Sequence, residues 1–434
     1  MADTTFREGD NPRLNLCRHA ARGIAIIYLV AFVYFLQASI VRAPVFDFLD
    51  WVRFWNEKSQ SGDWLGYFWT PHNEHRAVMS RLLLLIDINV FSGTTFPFYA
   101  SAIVLLAASV AIILKHAWET RLPEKGWLVF LLILVTTPTY IVVMCSMPAM
   151  GPFLHSTALA IFSLALAGRN SSALQRVFSL VCAALSAFGA AGGILFWPVL
   201  AWYVWREGHG LKWVLAVVVC GACFVAGFLY GLPRSHISTD IGIASIVMRL
   251  DYVVRFLGLP WSHSAPLVWP GRLIGFAILA GSVAILAVDL VQRRQRPAAE
   301  VFGMALVVFV LLTAAAVSVA RWDLATGRPM PVRYGMFVTL IHAGLILALG
   351  GKIAWLLSRW KLQARLAILA FGLVFLIQQI LAGLAAQRET SLYNASWTSF
   401  TQGNWTPEMT RYVFPDRLQA IEALRIMNAR KIYQ

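Results

Sequence analysis

Apolar runs separated by short polar links recur along the chain. They lie at 23–42, 96–115, 127–144, 153–168, 177–191, 194–206, 211–230, 273–291, 300–320, 334–351 and 366–386. The longer ones approach the ~20 apolar residues that a helix needs to cross a hydrocarbon core ~30 Å thick. In that core the backbone has no water to bond, so each such segment must satisfy its own peptide groups as a helix. The pattern predicts an all-α polytopic membrane protein with about 11 transmembrane helices. The runs 177–191 and 194–206 are the weakest, and they also read as one bent or re-entrant unit around Gly192-Gly193. The stretch 77–92 is apolar but carries Arg81 and Asp87. It reads as an interfacial helix, because a full crossing there would reverse every later link.

Composition agrees with the pattern. The 434 residues are 59% hydrophobic and 13% charged, against about 25% charged in soluble domains. That leaves too little polar surface to cover a water-exposed fold. The net charge of +15 does not indicate nucleic acid, because the basic residues sit at the edges of runs rather than in one stripe. Their placement orients the chain. Arg13, Arg18 and Arg22 precede the first run, and the next links on that side hold Lys115, Arg121 and Lys125, then Arg169 and Arg176, then Arg206 and Lys212. Arg293, Arg294 and Arg296 follow, then Lys352, Arg359, Lys361 and Arg365. Short basic links stay in the cytoplasm, which puts the N-terminus there and leaves 43–95, 231–272, 321–333 and 387–434 outside. The expected organisation is a membrane domain over 1–386 and a small outer cap over 387–434, with a final helix at 416–431.

The polar N-terminal lead is followed by no small-residue cleavage site, so the first run reads as a retained helix rather than a signal peptide. Of the five cysteines, Cys220 and Cys223 form a CxxC inside a run, where packing explains them better than metal or redox chemistry.

Candidate chemistry gathers in the first outer loop. Asp47 and Asp50 stand three apart and share a helix face. Phe46, Leu49, Phe54 and Trp55 suit a helix at the interface. His72, Glu74, His75 and Arg76 then fall within five residues. Ionisable groups crowded beside a span point to function. Each has a plainer reading as well: the aspartates as solvating or capping groups, and 72–76 as a helix start capped by Asn73. Two histidines at i,i+3 are too few for a zinc site, so no metal site is assigned. A second cluster, RWDLATGRPMPVRY at 321–334, sets Arg321, Arg328 and Arg333 around a Gly-Pro turn ending at Tyr334. Three arginines on the side poor in them suit an anionic partner, and the planar guanidinium fits phosphate in particular. Contacts with headgroups or with Asp323 are the alternative. Arg234, His236, Arg249, Asp251, Arg255 and His263 form a weaker set, mostly the polar face of a surface helix.

These features resemble a family. Asp47 and Asp50 follow the first span, then Gly62-Asp63, Gly66-Tyr67-Phe68 and Pro71, then an apolar helix closing on Phe91-Ser92-Gly93. This layout is similar to that of multispanning GT-C glycosyltransferases, as are Gly192-Gly193 to Trp197-Pro198 and GRPMPVRY at 327–334. In this chain Phe48 follows Asp47 where many relatives carry an Asp-Glu pair. The resemblance implies a polyprenyl-phosphate-sugar donor, a bacterial inner membrane with the C-terminus in the periplasm, and a periplasmic acceptor. That acceptor would be an envelope glycan such as lipopolysaccharide or O-antigen, or a secreted protein such as type IV pilin, to which some relatives add arabinofuranose. The base would be Asp47, then Asp50, then Glu74, in order of preference. Arg328 and Arg333, with Arg321, would hold the phosphate, and His72, His75, Arg76 and Tyr334 would position substrate. No cofactor is demanded. Some relatives use a divalent cation, for which Asp47, Asp50 and Glu74 would be the oxygen ligands. Two rival classes stay open: a lipid or sugar flippase or transporter, with Gly192-Gly193 and Asp289 as its clues, and a membrane O-acyltransferase centred on His155 or His342.

Overall fold

A computed structural model of the chain describes residues 12–72, 76–142, 145, 147–232, 242–262, 268–292, 295–322, 330–407 and 409–433. Every longer regular element among them is helical. In chain order these are α1 (Pro12–Ala38), α2 (Asp47–Ser61), α3 (Trp64–Trp69), α4 (Val78–Phe91), α5 (Phe96–Trp118) and α6 (Lys125–Thr136). Next come α7 (Gly151–Leu166), α8 (Ala173–Ala187), α9 (Phe196–Arg206), α10 (Leu211–Leu229), α11 (Ile243–Leu257) and α12 (Val268–Gln292). The chain closes with α13 (Ala298–Arg321), α14 (Gly335–Ala348), α15 (Gly350–Arg359), α16 (Lys361–Thr401) and α17 (Arg417–Arg430).

Among the described residues six helices are long and apolar enough to span a bilayer alone: α1, α5, α10, α12, α13 and α16. The segments 332–348 and 350–359, bent by 57° at their junction, can make a seventh span. The protein is a multi-pass membrane protein. The other four predicted spans fall on helices of 12, 16, 15 and 11 residues, namely α6 to α9, all short of ~20 residues. Local chemistry explains the shortness. Pro138 stops α6, and a 3₁₀ turn over Thr139–Ile141 follows. A second 3₁₀ turn, Ala191–Leu195, separates α8 from α9, which is the bend expected at Gly192-Gly193.

Small and hydroxylated residues draw the helices together, as expected where apolar surface alone gives no preference between helix and lipid. At the α13–α14 crossing, a Cβ on Gly303 would lie 2.6 Å from the Gly344 carbonyl oxygen, and one on Gly344 would lie 2.6 Å from that of Gly303. Between α7 and α8, the Ser163 and Ser179 hydroxyls each bond the other's carbonyl, at 2.8 and 2.9 Å. Ser186 repeats the contact on Ser156 at 2.8 Å. Tyr28 of α1 is fully buried, and its hydroxyl reaches the Leu134 carbonyl at 2.7 Å.

Ion pairs sort the links. Glu124 is shared by Arg18 at 3.1 Å and Arg365 at 2.8 Å. Asp289 is shared by Arg206 at 2.9 Å and Arg296 at 2.6 Å. All of these lie at links expected on one side. Segments expected on the other side likewise meet each other: Arg53 pairs with Glu422 at 2.7 Å, and Tyr433 donates to Asp87 at 2.7 Å.

Two expectations change. α16 does not end where its polarity rises near 386. It runs unbroken to Thr401, 41 residues or about 60 Å at 1.5 Å per residue, and carries Tyr393, Trp397 and Phe400 beyond the apolar run. Cys220 and Cys223 are exposed on α10 rather than packed inside.

Candidate active site

α2 to α4 and the C-terminal segment share one core, in which Phe48, Leu49, Trp51 and Tyr67 pack with Phe400, Met409, Ala423 and Met427. The amphipathic spacing of α2 turns these rings inward and leaves its carboxylates on the outer face. α2 starts at Asp47, with Phe46 before it at φ +57°. That left-handed backbone is costly for a bulky residue. It is held by the Phe46 amide donating to the Val413 carbonyl at 2.8 Å and by the Phe46 ring packing edge-on to Tyr393. Asp47 is thereby fixed on the border of a cavity.

The cavity has a volume of about 580 Å³ and is bordered by Asp47, His72, Arg321, Arg333, Tyr334 and Tyr393. Five residues singled out in the sequence, Asp47 and His72 near its start with Arg321, Arg333 and Tyr334 far along it, thus meet at one space. His72 Nε2 lies 3.8 Å from the Asp47 carboxylate, and its ring stands edge-on to Trp51. Among the described residues that nitrogen has no hydrogen-bond partner. Opposite, the Arg333 guanidinium lies over the Tyr334 ring at 5.5 Å. Behind them Tyr252 of α11 bonds Tyr334 without bordering the cavity. Burial raises its phenol above the ordinary value, the Tyr334 bond adds to that, and the charges of Arg333 and Arg321 oppose it.

The rest of the lining is largely apolar, with a wall from Met150, Phe153, Val317 and Phe337, and it includes the turn at 189–195 that joins α8 to α9. That turn depends on close approach: a Cβ on Gly189 would lie 2.5 Å from the Pro152 carbonyl oxygen and 2.8 Å from the Ser156 amide, and one on Gly193 would overlap the Ser186 carbonyl group.

Other expected site residues fall elsewhere. Asp50 borders a separate polar groove with Arg53, Asn56, Gln60 and Glu422, and pairs with Arg53 at 3.2 Å. His72 borders both spaces. Burial raises the Asp50 carboxyl above its ordinary value, opposed by His72 and Arg53. Arg76, expected to position substrate, is 1% exposed. Its guanidinium donates to the carbonyls of Phe228 at 2.9 Å, of Trp69 and of Tyr230, and stacks on the Trp69 ring. Those donors tie α3 to α10, so Arg76 acts as a clamp. Glu74, His75 and Arg328 lie outside the described residues.

The clues to the rival classes also change. Asp289 is already held by two arginines. His155 faces Ser101 at 3.0 Å and His342 bonds the Val338 carbonyl at 2.8 Å, and neither borders the cavity. Among the described residues no three His, Cys, Asp or Glu converge as metal ligands. Tyr393, which borders the cavity, escaped sequence reading, because a lone tyrosine in a polar tail carries no spacing signal.

No protein-family model, no characterised protein and no solved structure matches this chain.

Proposed function

We propose that the protein is a GT-C-like glycosyltransferase of the bacterial inner membrane that moves a sugar from a polyprenyl-phosphate donor to a periplasmic acceptor. One observation supports this reading: a carboxylate, Asp47, and two arginines, Arg321 and Arg333, border one cavity of about 580 Å³ together with an apolar wall. In the proposed arrangement the prenyl tail lies along that wall and the phosphate sits at Arg321 and Arg333, where two cations stabilise the charge that develops as it leaves. Asp47 accepts the proton of the attacking hydroxyl. The donor is lipid-linked, which accounts for a site within reach of the bilayer. The acceptor is an envelope glycan or a secreted protein. The topology that goes with this has eleven spans, counting the short helices α6 to α9, with the N-terminus cytoplasmic and 387–434 periplasmic.

The test is release of polyprenyl phosphate by the purified chain from a polyprenyl-phosphate sugar in the presence of candidate acceptors. Asp47→Asn is expected to cut that rate by roughly a hundredfold to ten-thousandfold without changing the melting temperature. Full activity of that variant removes Asp47 from the scheme.

A second reading has its own support. Broken helices are a transporter feature, and α8 and α9 are separated by a 3₁₀ break whose residues line the cavity. A flippase would move the lipid-linked substrate between leaflets without cleaving it. Lipid translocation with no release of polyprenyl phosphate selects that reading over the first.

A further inference from the structure

At the opposite end of the bundle, where the basic links meet, a groove of about 450 Å³ runs between α1 and α6. Arg18, Arg22, Glu124 and Lys125 form its rim, and Ala25 and Phe130 belong to an apolar wall that follows the two helices inward. Glu124 is the one carboxylate among the described lining residues. A single oxygen of it already takes Arg18 at 3.1 Å and Arg365 at 2.8 Å. Arg365 is 1% exposed, and its Nε and Nη1 have no hydrogen-bond partner among the described residues. Arg18, Arg22 and Lys125 of the lining therefore outnumber its one carboxylate, which is already bonded by Arg18 and by Arg365 behind the groove, and the positive surplus lies against apolar lining.

We propose that this groove binds one anionic phospholipid, with its phosphate at Arg18 and Arg22 and an acyl chain along Ala25 and Phe130. Charge complementarity selects the occupant, since basic pockets between membrane helices favour anionic headgroups. A choline lipid brings its own cation and leaves the surplus uncompensated. A free phosphate would meet the charge but leave the apolar wall uncovered. The inference stands apart from the chemistry proposed for the other cavity.

The test reconstitutes the full chain in phosphatidylcholine nanodiscs with and without phosphatidylglycerol. It reads the melting temperature, and native mass spectrometry identifies the lipid retained after delipidation. Phosphatidylglycerol is expected to raise the melting temperature and to be retained selectively. Arg22→Gln, at an exposed position, should lose both effects while melting like the parent in phosphatidylcholine alone. Ala25→Phe narrows the wall without touching a charge and should also lose retention. Equal retention of the two lipids by the parent chain, or an undiminished preference in Arg22→Gln, overturns the proposal. So does an equal rise in melting temperature from inorganic phosphate in pure phosphatidylcholine discs, which would make the ligand a free anion.

Discussion

The buried Arg81 shows how one side chain can set the shape of the 43–95 segment. Arg81 is 2% exposed and donates to the carbonyls of Tyr67 at 2.6 Å and Thr70 at 2.6 Å, closing the end of α3, with its guanidinium over the Phe54 ring. Hydrogen bonds from a charged donor contribute about 1.5–3 kcal/mol each. Arg81→Met should therefore destabilise the protein by about 3 kcal/mol, read as a fall in the thermal midpoint. An unchanged midpoint would show that water reaches those carbonyls. Asp50 behaves in the opposite sense. Burial raises its pKa in the folded state, so the folded form holds the proton more tightly than the unfolded chain does. The stability this gives is complete below the unfolded value of about 4 and is lost as pH rises through the folded value. Its exposed-side pairing with Arg53 offsets little. Asp50→Asn should accordingly melt higher than the parent near neutral pH, with the gap closing on acidification. A gap independent of pH would sink the argument.

At the scale of elements, the short helices matter most. α8 stops and α9 starts where they do because Gly189 and Gly193 let the chain turn against the carbonyls of Pro152 and Ser186. Gly189→Ala should push α7 and α8 apart, costing about 1–3 kcal/mol as an overpacked contact and weakening any ligand of the cavity. Gly192→Ala adds its methyl 3.2 Å from Thr313 Cγ2 at the cavity edge. It should keep the melting temperature and alter ligand affinity alone. Measuring both quantities on both variants separates the two effects, and a normal melting temperature in Gly189→Ala would refute the packing argument.

Across the whole molecule, the chain's last segment completes the core of the 43–95 segment. Phe400, Met409, Val413, Phe414, Ala420, Ala423, Met427 and Ile432 cover Phe48, Leu49, Trp51 and Val52. Tyr433 reaches Asp87, and Arg53 reaches Glu422. Each large apolar side chain uncovered forfeits about 1.5–3 kcal/mol. A chain ending after Thr401 should still insert its spans, but its 43–95 loop should be cut quickly by protease and the Asp47 cavity should lose its ligand. Resistance equal to that of the full chain would show that the loop folds without its cover.

The sequence by itself determined the membrane class and the position of most of the apolar helices, because hydropathy acts locally and is written in consecutive residues. It also marked Asp47, His72, Arg321, Arg333 and Tyr334, each from its own neighbourhood. Only the tertiary structure decided that these five border one cavity, that Asp50 turns to another groove and that Arg76 is consumed as a clamp. Such outcomes depend on which buried donor finds which carbonyl across 150 or more residues, and no local period records that. The length of α16 was hidden for a related reason: polarity marks where a helix leaves the apolar layer, whereas its end is set by the contacts that Tyr393, Trp397 and Phe400 make beyond it.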